Sequence, residues 1–282
     1  MARQPAQTVP ASTVRGRIPT RPRRGRGAAS YATLLLCLAP GLAAPPRASQ
    51  AGVSSDSPRR IGAPGMLEPH TGSLLVDYYE TYLRDQDIDA FRQHVSARYM
   101  EGTLARLIES PGLQARRASV LALGLFGSFE VNGAVAKALR DTDPTVRSLA
   151  NNALWSIWFR ADTPENNAML EKVVRLISLQ RYEEAALLAS RLIDRAPRFA
   201  EAYNQRAIAE FSLGRFKECA DDCRLVIARN PYHSGALSGL AKCQLHLGQR
   251  EPAIETLRRV SKLQPYNQDV REWIASLESG EL

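Results

Sequence analysis

The sequence is poor in the residues from which catalytic and metal sites are usually built: its 282 residues contain four histidines and four cysteines. None of the histidines stands in an HExxH pattern or beside a GxSxG turn, and no phosphate-binding GxxxxGK[ST] loop occurs. Cys219 and Cys223 are one helical turn apart but lack a partner pair at a recognised metal-ligand spacing. We therefore expect no enzymatic activity, no cofactor and no metal site.

Alternation of apolar and polar residues with a period of two is equally scarce, so we expect no β-sheet. From "GSLLVDYYETYL" onward, apolar residues recur at every third and fourth position, which predicts helices to the end of the chain. Asp143-Pro144 and Thr163-Pro164 each combine a helix-capping side chain with a proline suited to the first helical turn. The fold class indicated is all-α.

Lysine is absent from the first sixty residues, and Asp56 is their one acid. Ten arginines against this acid give the stretch a charge of +9, which leaves −1 for the rest of a chain of formal net charge +8. A surface that binds nucleic acid needs many cations for the phosphates, so we expect none on the folded part. Nucleic-acid binding through the Arg-rich leader remains an alternative.

The beginning of the chain has the order of a secretory signal: an Arg-rich start, the uncharged run "AASYATLLLCLAPGLAAPP" and a small, polar stretch. Pro40-Gly41 interrupts the run, which is too short for a membrane span. We predict a signal-like or disordered leader over 1–52, a linker over 53–72, and export to the periplasm or cell envelope, with no membrane span after processing. A cytoplasmic protein with a disordered N-terminus and an organelle transit peptide are the alternatives.

Three prolines, Pro197, Pro231 and Pro265, are equally spaced along the chain, and each closes an apolar helical run. Gly214 and Gly248 repeat at the same interval, in the turns "LGRF" and "LGQR". A constant period of this length is typical of an array of helix pairs. Small residues recur at the position where the two helices of a pair would meet: Ala185, Cys219 and Ala253.

These units resemble tetratricopeptide (TPR) repeats, which have an aromatic residue and a Leu-Gly pair in the first helix, a small residue in the second, and a closing proline. The proline is present in all three units, whereas Tyr203 alone supplies the first aromatic and the middle tyrosine is missing. The resemblance implies three TPR units over 166–267 and a capping helix over 268–282.

A shorter period aligns "ARRASVLALGLFG" with "VRSLANNALWSIW", so that Arg116 corresponds to Arg147. With the pattern Asp-Pro-x-Val-Arg at Asp143, this stretch resembles the HEAT-like repeats of phycobilisome-lyase-type proteins, which we place over 73–160. The resemblance implies that Asp143 and Arg147 stabilise the stack of units. The whole chain would be a right-handed α-solenoid, in which each unit buries its apolar face only against its neighbours and Trp155 and Trp158 join the two arrays.

In TPR proteins the first helix of each unit lines a concave groove. The resemblance implies that the groove here is formed by Asn204, Ile208, Phe211, Ser238, Lys242, Leu245 and His246. Mainly apolar residues with one lysine suit a peptide segment that has an acidic anchor. Leu170 and Val174 stand where a clamp for a C-terminal carboxylate would need a cation and an amide, which disfavours such a clamp.

We therefore expect a non-enzymatic protein–protein interaction scaffold or adaptor that binds a peptide segment of a partner protein in the concave groove. The HEAT-like resemblance implies an alternative, an accessory lyase or chaperone-like subunit of an enzyme complex.

Overall fold

A computed structural model describes residues 73–280, and every regular element in that range is helical. The predicted leader and linker, over 1–52 and 53–72, lie outside the described residues, as do the last two residues of the predicted capping segment. Most described helices pack against a helix that is adjacent or next but one in sequence, so the predicted all-α solenoid of helix pairs is confirmed. No described helix combines the length and the apolar character needed to cross a lipid bilayer.

Six α-helices form the first half of the described chain: α1 (Leu74–Asp85), α2 (Ile88–Ser96), α3 (Glu101–Leu107), α4 (Leu113–Phe126), α5 (Asn132–Lys137) and α6 (Pro144–Phe159). Short 3-10 helices over Phe129–Val131 and Ala138–Arg140 flank α5. Asp143 caps α6 by accepting a hydrogen bond from the Val146 amide, and Pro144 occupies the first turn. The capping signal read from the sequence therefore sets the start of this helix.

Seven α-helices follow: α7 (Pro164–Ser178), α8 (Tyr182–Arg195), α9 (Ala200–Ser212), α10 (Phe216–Arg229), α11 (Ser234–His246), α12 (Arg250–Leu263) and α13 (Gln268–Ser279). Between the paired helices, Gly214 and Gly248 adopt φ angles of 76° and 72°, which glycine adopts without steric cost. The equivalent position of the first pair is occupied by Gln180, with a φ of 59°. The turn geometry is thus repeated even where glycine is not.

Two arginines hold the turns before α4 and α6 in the same way. Arg116 donates through Nη1 to the carbonyl oxygens of Ser110 and Pro111. Arg147, its counterpart in the sequence alignment, donates through Nη1 to the carbonyl oxygens of Asp141 and Thr142. The shorter period read from the sequence therefore corresponds to a repeated local contact.

Ion pairs join α4 to the turn that precedes α6. The Nε of Arg116 lies 2.7 Å from Oδ2 of Asp141, and the Nη2 of Arg117 lies 2.8 Å from Oδ2 of Asp143. Both pairs are bidentate and mostly buried, which makes them stronger than exposed ion pairs. Asp143 thus both caps α6 and ties it to α4.

The first half of the described chain also contacts the turn between α10 and α11, beyond its neighbour in sequence. The Nδ2 of Asn132 donates to Oδ1 of Asn230 at 2.9 Å, across 98 positions of sequence. The ring of Trp158 stacks on His233 with centroids 4.2 Å apart. Trp155 lies against Gly235, where a Cβ would be 3.2 Å from the indole ring. The expectation that each unit contacts only its neighbours is therefore corrected, since α5 and α6 reach past the first helix pair.

Candidate interaction surface

The predicted groove residues lie on α9 and α11, which contact each other directly. On each helix they are spaced by three or four residues, except that His246 directly follows Leu245, so they share one broad face. Five of the seven are half-buried: Ile208, Phe211, Ser238, Lys242 and Leu245. Of the remaining two, Asn204 is buried and His246 is exposed.

Asn204 is 4% exposed, and its Nδ2 donates to Oε1 of Glu201 at 2.8 Å. Glu201 is itself 1% exposed and also accepts a hydrogen bond from Gln205. A buried carboxylate needs such donors, so the amide of Asn204 is occupied within the protein. Asn204 is not accessible to a partner, which corrects its assignment to the open groove.

His246, the last residue of α11, belongs to an aromatic cluster at the C-terminal end of this helix. Its ring stacks on Phe216 with centroids 4.0 Å apart and an interplanar angle of 5°, and Phe211 meets it edge-on at 5.4 Å. The cluster joins α9, α10 and α11 at one end of the groove face. Phe216 was missed from the sequence because it begins a second helix, whereas only first helices were expected to contribute.

Lys242 is the one cation of the predicted groove. Burial lowers the pKa of its ammonium group, because water stabilises the charged form less well there. No carboxylate within residues 73–280 forms an ion pair with it. An ammonium group that is half-buried among apolar residues is stabilised by an opposite charge, which the described part of the chain does not supply.

The end of this surface that lies against α6, called the inner end below, contains His233. This residue is fully buried just before the start of α11. Its Nδ1 accepts a hydrogen bond from the Ala236 amide at 2.9 Å, and its Nε2 lies 3.0 Å from Oε2 of Glu201. Because Nδ1 is an acceptor, Nε2 carries the proton and donates it to the carboxylate. No pattern in the sequence indicated this contact, beyond the position of His233 just before a predicted helix.

Trp158 links this histidine to the first half of the chain. It stacks on His233, and its Nε1 donates to Oδ1 of Asn132 at 2.7 Å. Trp158 is 2% exposed, so the expectation that it is a core residue at the junction agrees with its position. Since α6 covers the inner end, the open part of the face comprises Ile208, Phe211, Ser238, Lys242 and Leu245.

The cysteines do not extend this surface. Cys219, Cys223 and Cys243 are free and buried between α10 and α11. Within residues 73–280, no group of three or more histidine, cysteine or acidic side chains is arranged to hold a metal ion.

Comparison with known families finds a match for part of the second half. A family model described as "Tetratricopeptide repeat" matches residues 211–277, which extend from the end of α9 into α13. This segment is therefore similar to tetratricopeptide repeats. No curated protein matches the chain in sequence.

Solved structures of tetratricopeptide domains are similar to this chain at low sequence identity. The first such domain of Spaghetti (RPAP3), bound to the HSP90 peptide SRMEEVD, has 24% identity and a TM-score of 0.41, and the match covers 42% of this chain and 94% of that one. The domain of Sgt2 from Aspergillus fumigatus has 19% identity and a TM-score of 0.40, with coverage of 43% and 81%. The TPR2AB domain of yeast Sti1, in complex with pHSP90, has 18% identity and a TM-score of 0.37, with coverage of 72% and 95%.

Proposed function

We propose that this protein is a non-enzymatic interaction scaffold that binds a peptide segment of a partner protein on the open part of the α9–α11 face. The observation that carries the proposal is the setting of Lys242, a half-buried ammonium group with no carboxylate partner within residues 73–280. The partner segment would place an acidic side chain at Lys242 and apolar side chains beside it.

The neighbours of Lys242 favour such a segment. Ile208, Phe211 and Leu245 are half-buried, so each still has apolar surface that a partner could remove from water. Burial of apolar surface contributes about 25 cal/mol per Å², and a desolvated charge pair adds specificity. A short amphipathic or extended peptide with an apolar face and one acid satisfies both requirements.

Affinity capture from the native host with the full chain, followed by identification and titration of the partner, tests the proposal. Lys242→Glu combined with Phe211→Ala should weaken binding of that partner by at least about tenfold, because it reverses the charge and removes an apolar contact. Lys217→Glu is the matched control, since Lys217 is exposed on α10. An unchanged set of partners in the double variant would exclude this surface.

We also propose that residues 73–160, from α1 to α6, form HEAT-like units. The equivalent bonds of Arg116 and Arg147 to the turns before α4 and α6 support this assignment. In an experimental structure, the segment around α4 should superpose on the segment around α6 with a constant difference in residue number, the one that aligns Arg116 with Arg147. An offset that varies along the two segments would contradict the assignment.

The proposal for the location of the protein is export, directed by residues 1–52. The order of arginines, uncharged run and small polar residues in the sequence supports it. N-terminal sequencing of the protein from its native host should find a mature chain that starts after the uncharged run. A mature chain that starts at Met1 would contradict export by this route.

A further inference from the structure

The two equivalent arginines of the first half differ in one respect. Both donate through Nη1 to the carbonyl oxygens of the preceding turn. Arg116 uses its other edge, Nε and Nη2, to bind both carboxylate oxygens of Asp141, at 2.7 and 3.2 Å. This edge is the arrangement in which a guanidinium group binds a carboxylate most strongly.

Arg147 has no acidic partner for the same edge within residues 73–280. The turn that follows α6 carries Asp162, but its carboxylate accepts hydrogen bonds from the Thr163 amide and from Nδ2 of Asn166 and forms no ion pair with Arg147. Instead, the ring of Tyr266 lies over the guanidinium face, with the centroid 4.2 Å from Cζ. The ring contacts the face of the guanidinium group, whereas the Nε–Nη2 edge lies in its plane and makes no hydrogen bond within residues 73–280.

Arg147 also lines a cleft of about 320 Å³ between α6 and the turn that precedes α13. Neutral polar side chains line it together with Arg147, and they include Ser148, Asn151, Gln264, Tyr266 and Asn267. Tyr266 is 49% exposed, so the cleft opens to solvent. No acidic side chain of the described helices and turns lines it, which gives the cleft a net positive charge.

We propose that this cleft is a second binding site, which takes a carboxylate of a partner protein on the Nε–Nη2 edge of Arg147. The bond between Arg116 and Asp141, in the equivalent unit, shows which group this edge binds. The residues outside 73–280 contain only three acidic side chains, Asp56, Glu68 and Glu281, so the chain itself has few carboxylates to offer. The site is separate from the Lys242 surface and adds a second acidic contact to the partner.

Nuclear magnetic resonance of the full chain tests the site directly, with the blocked peptide acetyl-Glu-Glu-Glu-amide as the probe. The Nε–H signal of Arg147 should shift and saturate with this peptide and stay in place with acetyl-Gln-Gln-Gln-amide. Arg147→Lys should bind the glutamate peptide about tenfold more weakly at this site, because an ammonium group cannot form the bidentate contact. An Arg147 signal that responds equally to both peptides, or to neither, would overturn the proposal.

A matched pair of variants provides an independent test. Asn151 lines the cleft one helical turn after Arg147, whereas Asn152 is exposed on the same helix. Asn151→Asp should place a carboxylate beside Arg147 and abolish the response to the peptide, while Asn152→Asp should leave it unchanged. Equal responses in the two variants would refute the site. Lys242→Glu should retain the Arg147 response, so that failure of one proposed surface can be distinguished from failure of the other.

Discussion

The two halves of the described chain join successive helix pairs by different means. In the first half, bidentate ion pairs connect α4 to the turn before α6, through Arg116 and Arg117. In the second half, the bidentate pair of Arg206 with Asp222 lies within one helix pair. Between its pairs, the second half relies on buried apolar residues and on the buried contact of His233 with Glu201. The same solenoid architecture therefore uses bidentate arginine–aspartate pairs between units in one half, and mainly apolar packing with the His233–Glu201 contact in the other.

The largest effect is expected where the two halves meet. Trp158→Ala removes an indole ring that stacks on His233 and hydrogen-bonds Asn132, and it should lower the free energy of unfolding by about 3–5 kcal/mol. Urea unfolding followed by fluorescence and by circular dichroism should then show the two halves unfolding at different concentrations. Trp273→Ala, a half-buried residue of the terminal helix, is the comparison and should leave a single transition. A single transition with unchanged midpoint in Trp158→Ala would show that the halves are not coupled there.

The next largest effect concerns the ion pairs of the first half. Asp143→Ala removes the cap of α6 and the partner of Arg117, and should cost about 3 kcal/mol of stability. Asp221→Ala removes an exposed acid that pairs with Arg224 within α10, and should cost less than about 0.5 kcal/mol. Urea midpoints of the two variants measure the difference. Similar losses would mean that charge between units does not distinguish the first half.

Acid should weaken the ion pairs of the first half. The hydrogen bond from Arg117, together with backbone amides, lowers the pKa of Asp143. Burial works to raise the pKa of Asp141, but the hydrogen bonds from Arg116 and from the Asp143 amide outweigh it and lower that pKa. Such a carboxyl group stabilises the folded protein at pH values above its unfolded-state pKa, which is near 4. This stabilisation is lost as the pH falls through the lower folded-state pKa.

Melting temperatures measured from pH 6 down to pH 3 check this dependence. The wild-type protein should lose stability below about pH 4, and Asp143→Asn should make the curve flatter because the carboxyl group of Asp143 no longer titrates. Asp221→Asn serves as the control and should follow the wild-type curve. An acid dependence that is the same in Asp143→Asn as in the wild type would argue against the role of this carboxyl group.

The helix pairs of the second half could be predicted well from the sequence, because their signals are local. The equally spaced prolines and glycines mark turns, and the turns at Gly214 and Gly248 have the left-handed backbone that glycine favours. The caps at Asp143 and Thr163 are likewise set by a few adjacent residues. Periodicity and capping chemistry depend on near neighbours in sequence, so one sequence is enough to locate them.

The closure of the inner end of the candidate surface could not be predicted, because it depends on contacts between distant segments. Asn132 and Asn230 are 98 positions apart, and no repeat period relates them. Asn204 has the spacing of a groove residue, yet it is buried, and its amide donates a hydrogen bond to the buried Glu201. A spacing argument identifies the face of a helix on which a residue lies, whereas its exposure depends on what packs over that face.

The smallest predicted effect compares the turns within the helix pairs. Gly214→Ala should lower stability by about 1 kcal/mol, because a side chain disfavours a φ of 76°. Gln180→Gly, at the equivalent turn of the first pair, should stabilise the turn by a comparable or smaller amount, since it relieves the same conformation. Thermal unfolding of the two variants measures both changes. Effects of the same sign at the two turns would contradict their equivalence.

Hydrogen exchange of the full chain most directly tests the claim that α6 covers the inner end of the α9–α11 face. The account predicts that amides at the start of α11, around Ala236, are protected in the wild type and exchange at least about tenfold faster in Trp158→Ala. Amides in α12 and α13 should keep their rates, because they are remote from the indole ring. Unchanged exchange around Ala236 in Trp158→Ala would show that α6 does not hold this end of the surface closed.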